Sequence, residues 1–385
     1  MKKIYQILIL ILILCLVVFS CKKDKNINTN TDPEPEEKEW TFLLYDDADF
    51  DNAGDPLLSF KDHMSSNDDI NYLVLRDGEF RDAAYYFIDE LHNADSVLSV
   101  GEVNMGAKAT LKNFLNYAKQ NYPAKRYILA FYNHGGGWSG CCYDKSAQDM
   151  LTNNEMSEAI AETGGIDLML FTAPCNLGSV EAIYQMRNVA DYYLGSAEAS
   201  GYIFWYDVMP QIDQYLKTHV TVQSRELASK IIELIDQTNT DPQIRNLMTM
   251  SAMDLSKAND LVLSFNAVTD YYILNMNKFI DLPKDNLKRY YGENYIDLKD
   301  LLLDLLNQET DQTAIDLLND AIQQFDECIV VECHGDPHFD SHGLNIFYPD
   351  TTYNSEIYYS PLGIGLDFKD DCSWDELLKG YLNFY

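Results

Sequence analysis

The sequence predicts an α/β domain, a mostly parallel sheet with helices on both faces, followed by a more helical C-terminal region. Three observations lead there. Strand-like and helix-like segments alternate from Trp40 to about Tyr206. The strand-like ones are short, near-continuous apolar runs, as expected of strands covered on both faces. Strand, helix, strand in that order implies parallel pairing with crossover helices.

In chain order, "WTFLLY" (Trp40 to Tyr45) and "INYLVL" (Ile70 to Leu75) read as buried strands. Ala107 to Gln120 is an amphipathic helix with Leu111, Phe114, Leu115 and Ala118 on one face. Tyr127 to Asn133 is the next strand. Thr152 and Glu155 form a capping box that opens a short helix, which Gly164 and Gly165 stop. Ile166 to Thr172 reads as a strand, Ser179 to Ala190 as a helix and Tyr192 to Gly195 as a further strand. Helical spacing then dominates in Arg225 to Gln237, Leu255 to Asn277, Asp297 to Leu306 and the closing Ser373 to Tyr381. Leu247 to Met253 and Leu344 to Tyr348 look like late strands. No internal repeat is visible.

The N-terminus reads as an address. Lys2 and Lys3 precede an unbroken apolar run from Ile7 to Phe19, short for a membrane span and the right length for a signal-peptide core. "VVFSC" looks like a bacterial lipoprotein cleavage site, which makes Cys21 the expected lipid-attachment residue. The polar stretch that follows reads as a tether. The expected division is therefore a leader over residues 1–20, a tether over 21–39, an α/β domain over 40–255 and a more helical C-terminal extension over 256–385 that contributes late strands.

The net charge is −33, and losing Lys2 and Lys3 with the leader takes it to −35. A surface this acidic argues against nucleic-acid binding and against adsorption to anionic lipid, so any membrane link would be the anchor. With Cys15 and Cys21 set aside, six cysteines remain, too few in a chain of this length for a disulfide framework.

Two predicted strands end in reactive residues. "YNHGGGW" places His134 at one lip, and "TAPCNLGSVE" places Cys175 at another, just before a helix. Functional groups collect beyond the carboxyl ends of parallel strands, so neighbouring strands would bring imidazole and thiol to one crevice. A helix N-terminus favours the thiolate, and Pro174 keeps Ala173 extended. A histidine can protonate a leaving amine, and glycines after it let a carbonyl approach the Gly135 N–H. By spacing alone, His-Gly-Gly also fits a tight turn and a lone cysteine also fits buried packing.

"HGGGW" followed by "APCNLGSVEAIYQMRNVADYYLGSAEASGYIFWY" resembles the clostripain family of cysteine endopeptidases, relatives of caspases, gingipains and legumain. "WTFLLYDDADFDNAGDPL", "MTMSAMDLSKANDL" and "SHGLNIFYPD" extend the likeness over nearly all of Trp40 to Tyr385. The resemblance implies a caspase-like fold, a His134–Cys175 dyad and an oxyanion site at the Gly135 and Cys175 amides. It implies protein or peptide substrates cleaved through an acyl-enzyme. No cofactor is required, although calcium is implied for some of the family.

One position departs from the family pattern, which commonly has Asp-Ala-Cys at the nucleophile, the Asp serving a basic P1 side chain. Here Ala173 stands in its place, removing a charge-assisted hydrogen bond worth roughly 1.5–3 kcal/mol. Glu198 or Asp207 could compensate, and Trp205 joins them as a candidate substrate contact. The family also cuts its own loop after the catalytic histidine, and Lys145 is the only Lys or Arg between His134 and Cys175. Lys145 also fits a plain solvated loop.

Other features weigh less. Cys333, His334, His338 and His342 lie close in sequence, but Gly335 and Pro337 deny them a helix, so the stretch reads as a polar loop and no metal site is expected. Asp46, Asp47, Asp49 and Asp51 read as a solvated rim, and Cys141 and Cys142 as loop residues. The rival to an enzyme is an exported lipoprotein of the same fold acting as a non-catalytic binding module.

Overall fold

The computed structural model describes residues 35–49, 56–78, 81–200, 204–239, 241–246, 248–281, 287–290, 294–349 and 365–382. Cys21 and the leader and tether upstream of residue 35 lie outside the described residues, as does Asp51. Glu36–Tyr385 forms one compact unit. Among the described residues, no helix is long and apolar enough to cross a membrane.

The first half runs β1 (Lys38–Asp47), α1 (Pro56–His63), β2 (Ile70–Gly78), β3 (Arg81–Ile88), β4 (Ala94–Gly101), α2 (Lys108–Asn121) and β5 (Ala124–Tyr132). A small hairpin of β6 (Cys141–Asp144) and β7 (Asp149–Leu151) leads to α3 (Asn153–Ala161), β8 (Ile166–Phe171), α4 (Val180–Met186) and β9 (Ala190–Ser196). Then come α5 (Phe204–Thr218), α6 (Ser224–Thr238), β10 (Thr249–Asp254), α7 (Ala258–Leu274) and β11 (Tyr295–Asp297). The chain closes through α8 (Leu298–Gln308), α9 (Gln312–Cys328), β12 (Ile329–His334), β13 (Asn345–Phe347) and α10 (Trp374–Leu382).

Nine strands make one sheet in the order β12-β10-β9-β8-β5-β1-β2-β3-β4. The central five, β9 to β2, are all parallel. Antiparallel strands extend both edges, β3 and β4 on one side and β10 and β12 on the other. Alternation along each central strand feeds two cores. Leu43, Tyr45, Leu129 and Phe131 face the side covered by α2, α3, α4 and α7. Trp40, Phe42, Leu44, Ile128 and Ala130 face α1, α5 and α6. This is why the central strands read as unbroken apolar runs.

On the first face an aromatic ladder crosses four parallel strands. Tyr45 and Phe131 lie 5.8 Å apart, Phe131 and Phe171 stack at 5.0 Å, and Phe171 and Tyr193 lie at 4.7 Å. Each such pair is worth about 0.5–1.5 kcal/mol beyond area burial. The ladder fixes the relative height of the strand ends just below the rim where His134 and Cys175 stand.

The structure corrects three expectations. The acids after Tyr45 are not a solvated rim, because β1 continues through Asp47 and Asp46, Asp47 and Asp49 are buried. Arg76 pairs with Asp46 at 2.8 Å, and Asp49 accepts from the Ser146 hydroxyl at 2.7 Å. Cys141 and Cys142 are not loop residues but buried members of β6. The 333–342 stretch begins as the end of edge strand β12, with Cys333 buried, and only then turns into a loop.

Burial pushes the Asp47 carboxyl up to about 8, against the Asp49 N–H and with help from Asp144, Asp49 and Asp46. Asp47 therefore keeps its proton in the fold at pH values where the unfolded chain has lost it. The fold loses stability as pH rises from about 4 through about 8. Asp47→Asn should flatten this slope and raise the thermal midpoint at pH 8 by a few degrees relative to wild type. An unchanged pH dependence in thermal melts would contradict the burial argument.

Candidate active site

β5 and β8 are hydrogen-bonded parallel neighbours with Phe131 opposite Phe171. His134 stands three residues past Phe131 and Cys175 four residues past Phe171, so both sit at the carboxyl end of the sheet. The loops that carry them touch through glycine. A methyl group added at Gly135 would lie 2.5 Å from the Cys175 carbonyl oxygen and 2.7 Å from its amide nitrogen. Only a residue without a side chain permits that approach.

The histidine loop is tied down from below. The Asn133 side-chain amide donates to the Asp47 carbonyl at 2.8 Å, while its oxygen accepts the His134 N–H. An antiparallel bridge joins Gly135 to Cys141, made by the Gly136 N–H to the Gly140 carbonyl and the Cys142 N–H to the His134 carbonyl. This bridge leaves the Gly135 N–H directed elsewhere. Among the described residues, neither the Gly135 nor the Cys175 amide donates a hydrogen bond within the protein.

On the other side, Asn176 adopts a left-handed turn with φ of 58°, and its N–H donates to the Glu198 carbonyl at 3.1 Å. Ser179 caps α4 just beyond. Among the six described cysteines, all unbridged, Cys175 alone is not buried. The Ser200 N–H donates to the Cys175 Sγ at 3.4 Å, and the Ser200 hydroxyl holds the Thr172 carbonyl. Burial pushes the thiol above its ordinary range, the Ser200 N–H pulls it back, and the Glu198 carboxylate adds to the rise. A partly buried thiol, an imidazole on the adjoining strand end and two unengaged amides are the parts an acyl transfer needs.

The remaining candidates separate. Ala173 is buried in the core on the α5 and α6 face. Glu198 is buried beside the thiol, whereas Asp207 is exposed in the first turn of α5. Trp205 belongs to that same turn, and its side chain lies outside what the structure describes. Lys145 is exposed in the turn between β6 and β7, next to the Ser146 that Asp49 holds. Asn133 and Ser200 were not legible as site residues, since their roles come from backbone contacts with partners far away in sequence.

The acids after Tyr45 are where the calcium implied by the family resemblance would be sought. Asp47 and Asp49 each leave a buried carboxylate oxygen without a hydrogen-bond partner. Yet among the described residues no three acidic, cysteine or histidine side chains converge on a point that could hold an ion. The 333–342 histidines have separate partners: His334 bonds Glu332, His338 the Asn246 carbonyl and His342 the Asp297 carboxylate.

With this geometry in place, comparison with known proteins is direct. A model of the clostripain family of C11 peptidases matches residues 45–381. The chain belongs to the clostripain family. Clostripain of Hathewaya histolytica is 26% identical over 324 residues, which cover 69% of this chain and 61% of that protein. The match thus spans less than two thirds of that relative. A secreted C11 cysteine protease from Bacteroides thetaiotaomicron, solved with an irreversible peptide inhibitor, superposes with a TM-score of 0.66 at 17% identity, covering 88% of this chain and 99% of that one. An inactive zymogen C11 protease from Parabacteroides distasonis gives 0.67 at 16% identity with the same coverage. These two likenesses establish the caspase-like fold expected of the family.

Since the Glu198 carboxylate opposes ionisation of the thiol, Glu198→Gln should move the pH profile of Cys175 alkylation by iodoacetamide to lower pH. A profile identical to wild type would show that the carboxylate does not act on the sulfur.

Proposed function

We propose that this clostripain-family protein is an exported cysteine endopeptidase in which Cys175 attacks the peptide carbonyl and His134 handles the proton. His134 takes the thiol proton, the sulfur bonds to the carbonyl carbon, and the oxyanion is held by the Gly135 and Cys175 N–H groups. His134 then returns the proton to the leaving amine as the C–N bond breaks. Water, deprotonated by His134, releases the acyl group and restores the thiol. The scheme draws only on the chain's own groups. The observation that carries it is the Gly135 backbone lying against that of Cys175, at the one described cysteine that is not buried.

Ala173 brings no carboxylate to the position where the family places one. A preference for Lys or Arg at P1 would therefore rest on Glu198, the candidate acid beside the thiol. Processing would fall in the exposed β6–β7 turn at Lys145, and Cys21 would carry a lipid that holds the enzyme at the cell envelope or cell surface. The mass of the protein purified from membranes reads both: a lipidated Cys21 terminus and a cut beside Lys145 are expected, and an intact unlipidated chain contradicts both.

Cleavage of a mixed peptide library by wild type, Cys175→Ala and Glu198→Gln tests the function. Turnover should fall by at least about 10³-fold in Cys175→Ala, and any basic P1 preference should fade in Glu198→Gln. Equal cleavage by wild type and Cys175→Ala removes the mechanism, and no cleavage by wild type favours a binding module.

A further inference from the structure

The two loops of the crevice come from β5 and β8, but the contacts that hold them together come from much later in the chain. The two-stranded ribbon of β11 and β13 pairs Tyr295 with Phe347 and Asp297 with Asn345. From β11, the Tyr295 hydroxyl donates to the Gly136 carbonyl at 3.0 Å and accepts the Trp138 N–H at 3.4 Å. Gly137, at φ of 60°, leaves open the space that this phenol fills. The Phe347 ring packs between Trp138 of the histidine loop, at 5.7 Å, and Tyr295, at 5.4 Å.

From β13, the buried Asn345 reaches the cysteine loop. Its N–H donates to the Gly178 carbonyl at 2.7 Å, and its side-chain amide donates to the Ala197 carbonyl at 2.8 Å and the Asn176 carbonyl at 3.3 Å. Glu181 on α4 accepts the Phe347 N–H at 2.9 Å, tying the ribbon to the helix that follows the cysteine. One short ribbon therefore grips both loops, each within a few residues of one of the two unengaged amides.

We propose that Tyr295 and Asn345 are positioning residues: they set the spacing of the Gly135 and Cys175 N–H groups so that both point at one oxyanion. This deepens the reading of the site above and rests on it. Neither side chain needs to touch substrate. The Tyr295 hydroxyl fixes the glycine loop through Gly136 and Trp138, and Asn345 fixes the other loop through Asn176, Gly178 and Ala197. Two donors converge on an oxygen only while the loops that bear them keep a fixed separation, and small misplacements there are costly to the rate.

Tyr295→Phe is the sharp test, because it deletes one oxygen and keeps the ring on Phe347. The expected loss in kcat is roughly tenfold to a hundredfold, with KM changed by less than about twofold, since only the transition state uses the oxyanion site. Affinity for a peptide aldehyde, whose hemithioacetal oxygen occupies the same place, should fall by a similar factor. Alkylation of Cys175 by iodoacetamide, which forms no oxyanion, should keep its wild-type rate, and the thermal midpoint should stay near wild type. Wild-type kcat and aldehyde affinity in Tyr295→Phe would overturn the inference. So would a kcat loss matched by slower alkylation and a lower midpoint, which is what a merely structural tyrosine would give. Persistent hydrolysis by Cys175→Ala is a separate outcome: it removes the nucleophile itself, whatever Tyr295→Phe does.

Discussion

The site depends on the parallel hydrogen bonding of β5 to β8. Parallel pairing sends both chains out of the same sheet edge, and the register that sets Phe131 against Phe171 brings the next few residues of each to the same height. A slip of one residue would turn every side chain of a strand to the other face. It would break the ladder from Tyr45 to Tyr193 and strand apolar groups against the wrong helices. Packing in the two cores thus sets the crevice before any polar contact forms.

Above that base, the loops are held by backbone hydrogen bonds whose partners come from distant segments. Asp47 reaches Asn133 through its carbonyl, Glu198 reaches Asn176, and the β11–β13 ribbon reaches both sides. Close backbone approach at Gly135 accompanies two amides that find no acceptor among the described residues, the pair proposed above to meet an oxyanion. Burial and the Glu198 carboxylate push the thiol up while the Ser200 N–H pulls it back, so the groups around the sulfur act on it in opposite directions. The strongly acidic composition has an inner counterpart in Asp46, Asp47 and Asp49, which are buried at the end of β1 rather than spread over the surface.

Much of this was legible in the sequence. Four of the five central strands announce themselves by apolar runs, β9 shows only a short Tyr-Tyr-Leu stretch, and the Thr152–Glu155 capping box forms as its spacing predicts. Of the antiparallel edges, β10 was legible as the late strand near Leu247 to Met253, but β3, β4 and β12 were not. β4 is exposed along most of its length and so carries no alternation, and β12 follows α9 with no glycine or proline to mark the change. α9 itself was missed because two of the five residues in its buried stripe are alanine, set among Asp, Asn and Gln. His134 and Cys175 drew attention at strand ends beside glycines, and the family resemblance is what singled them out. Tyr295 and Asn345 could not, since an isolated tyrosine or asparagine in a late strand gives no sign of which loop it will hold.

The most direct measurement is covalent labelling with a peptidyl chloromethyl ketone, followed by mass spectrometry of the digested protein. A thiol and an imidazole that share one rim predict a single adduct, on Cys175, formed rapidly in the wild type and abolished or greatly slowed in His134→Ala. An adduct on another cysteine, or labelling of Cys175 at the same rate with and without the histidine, would contradict the shared crevice.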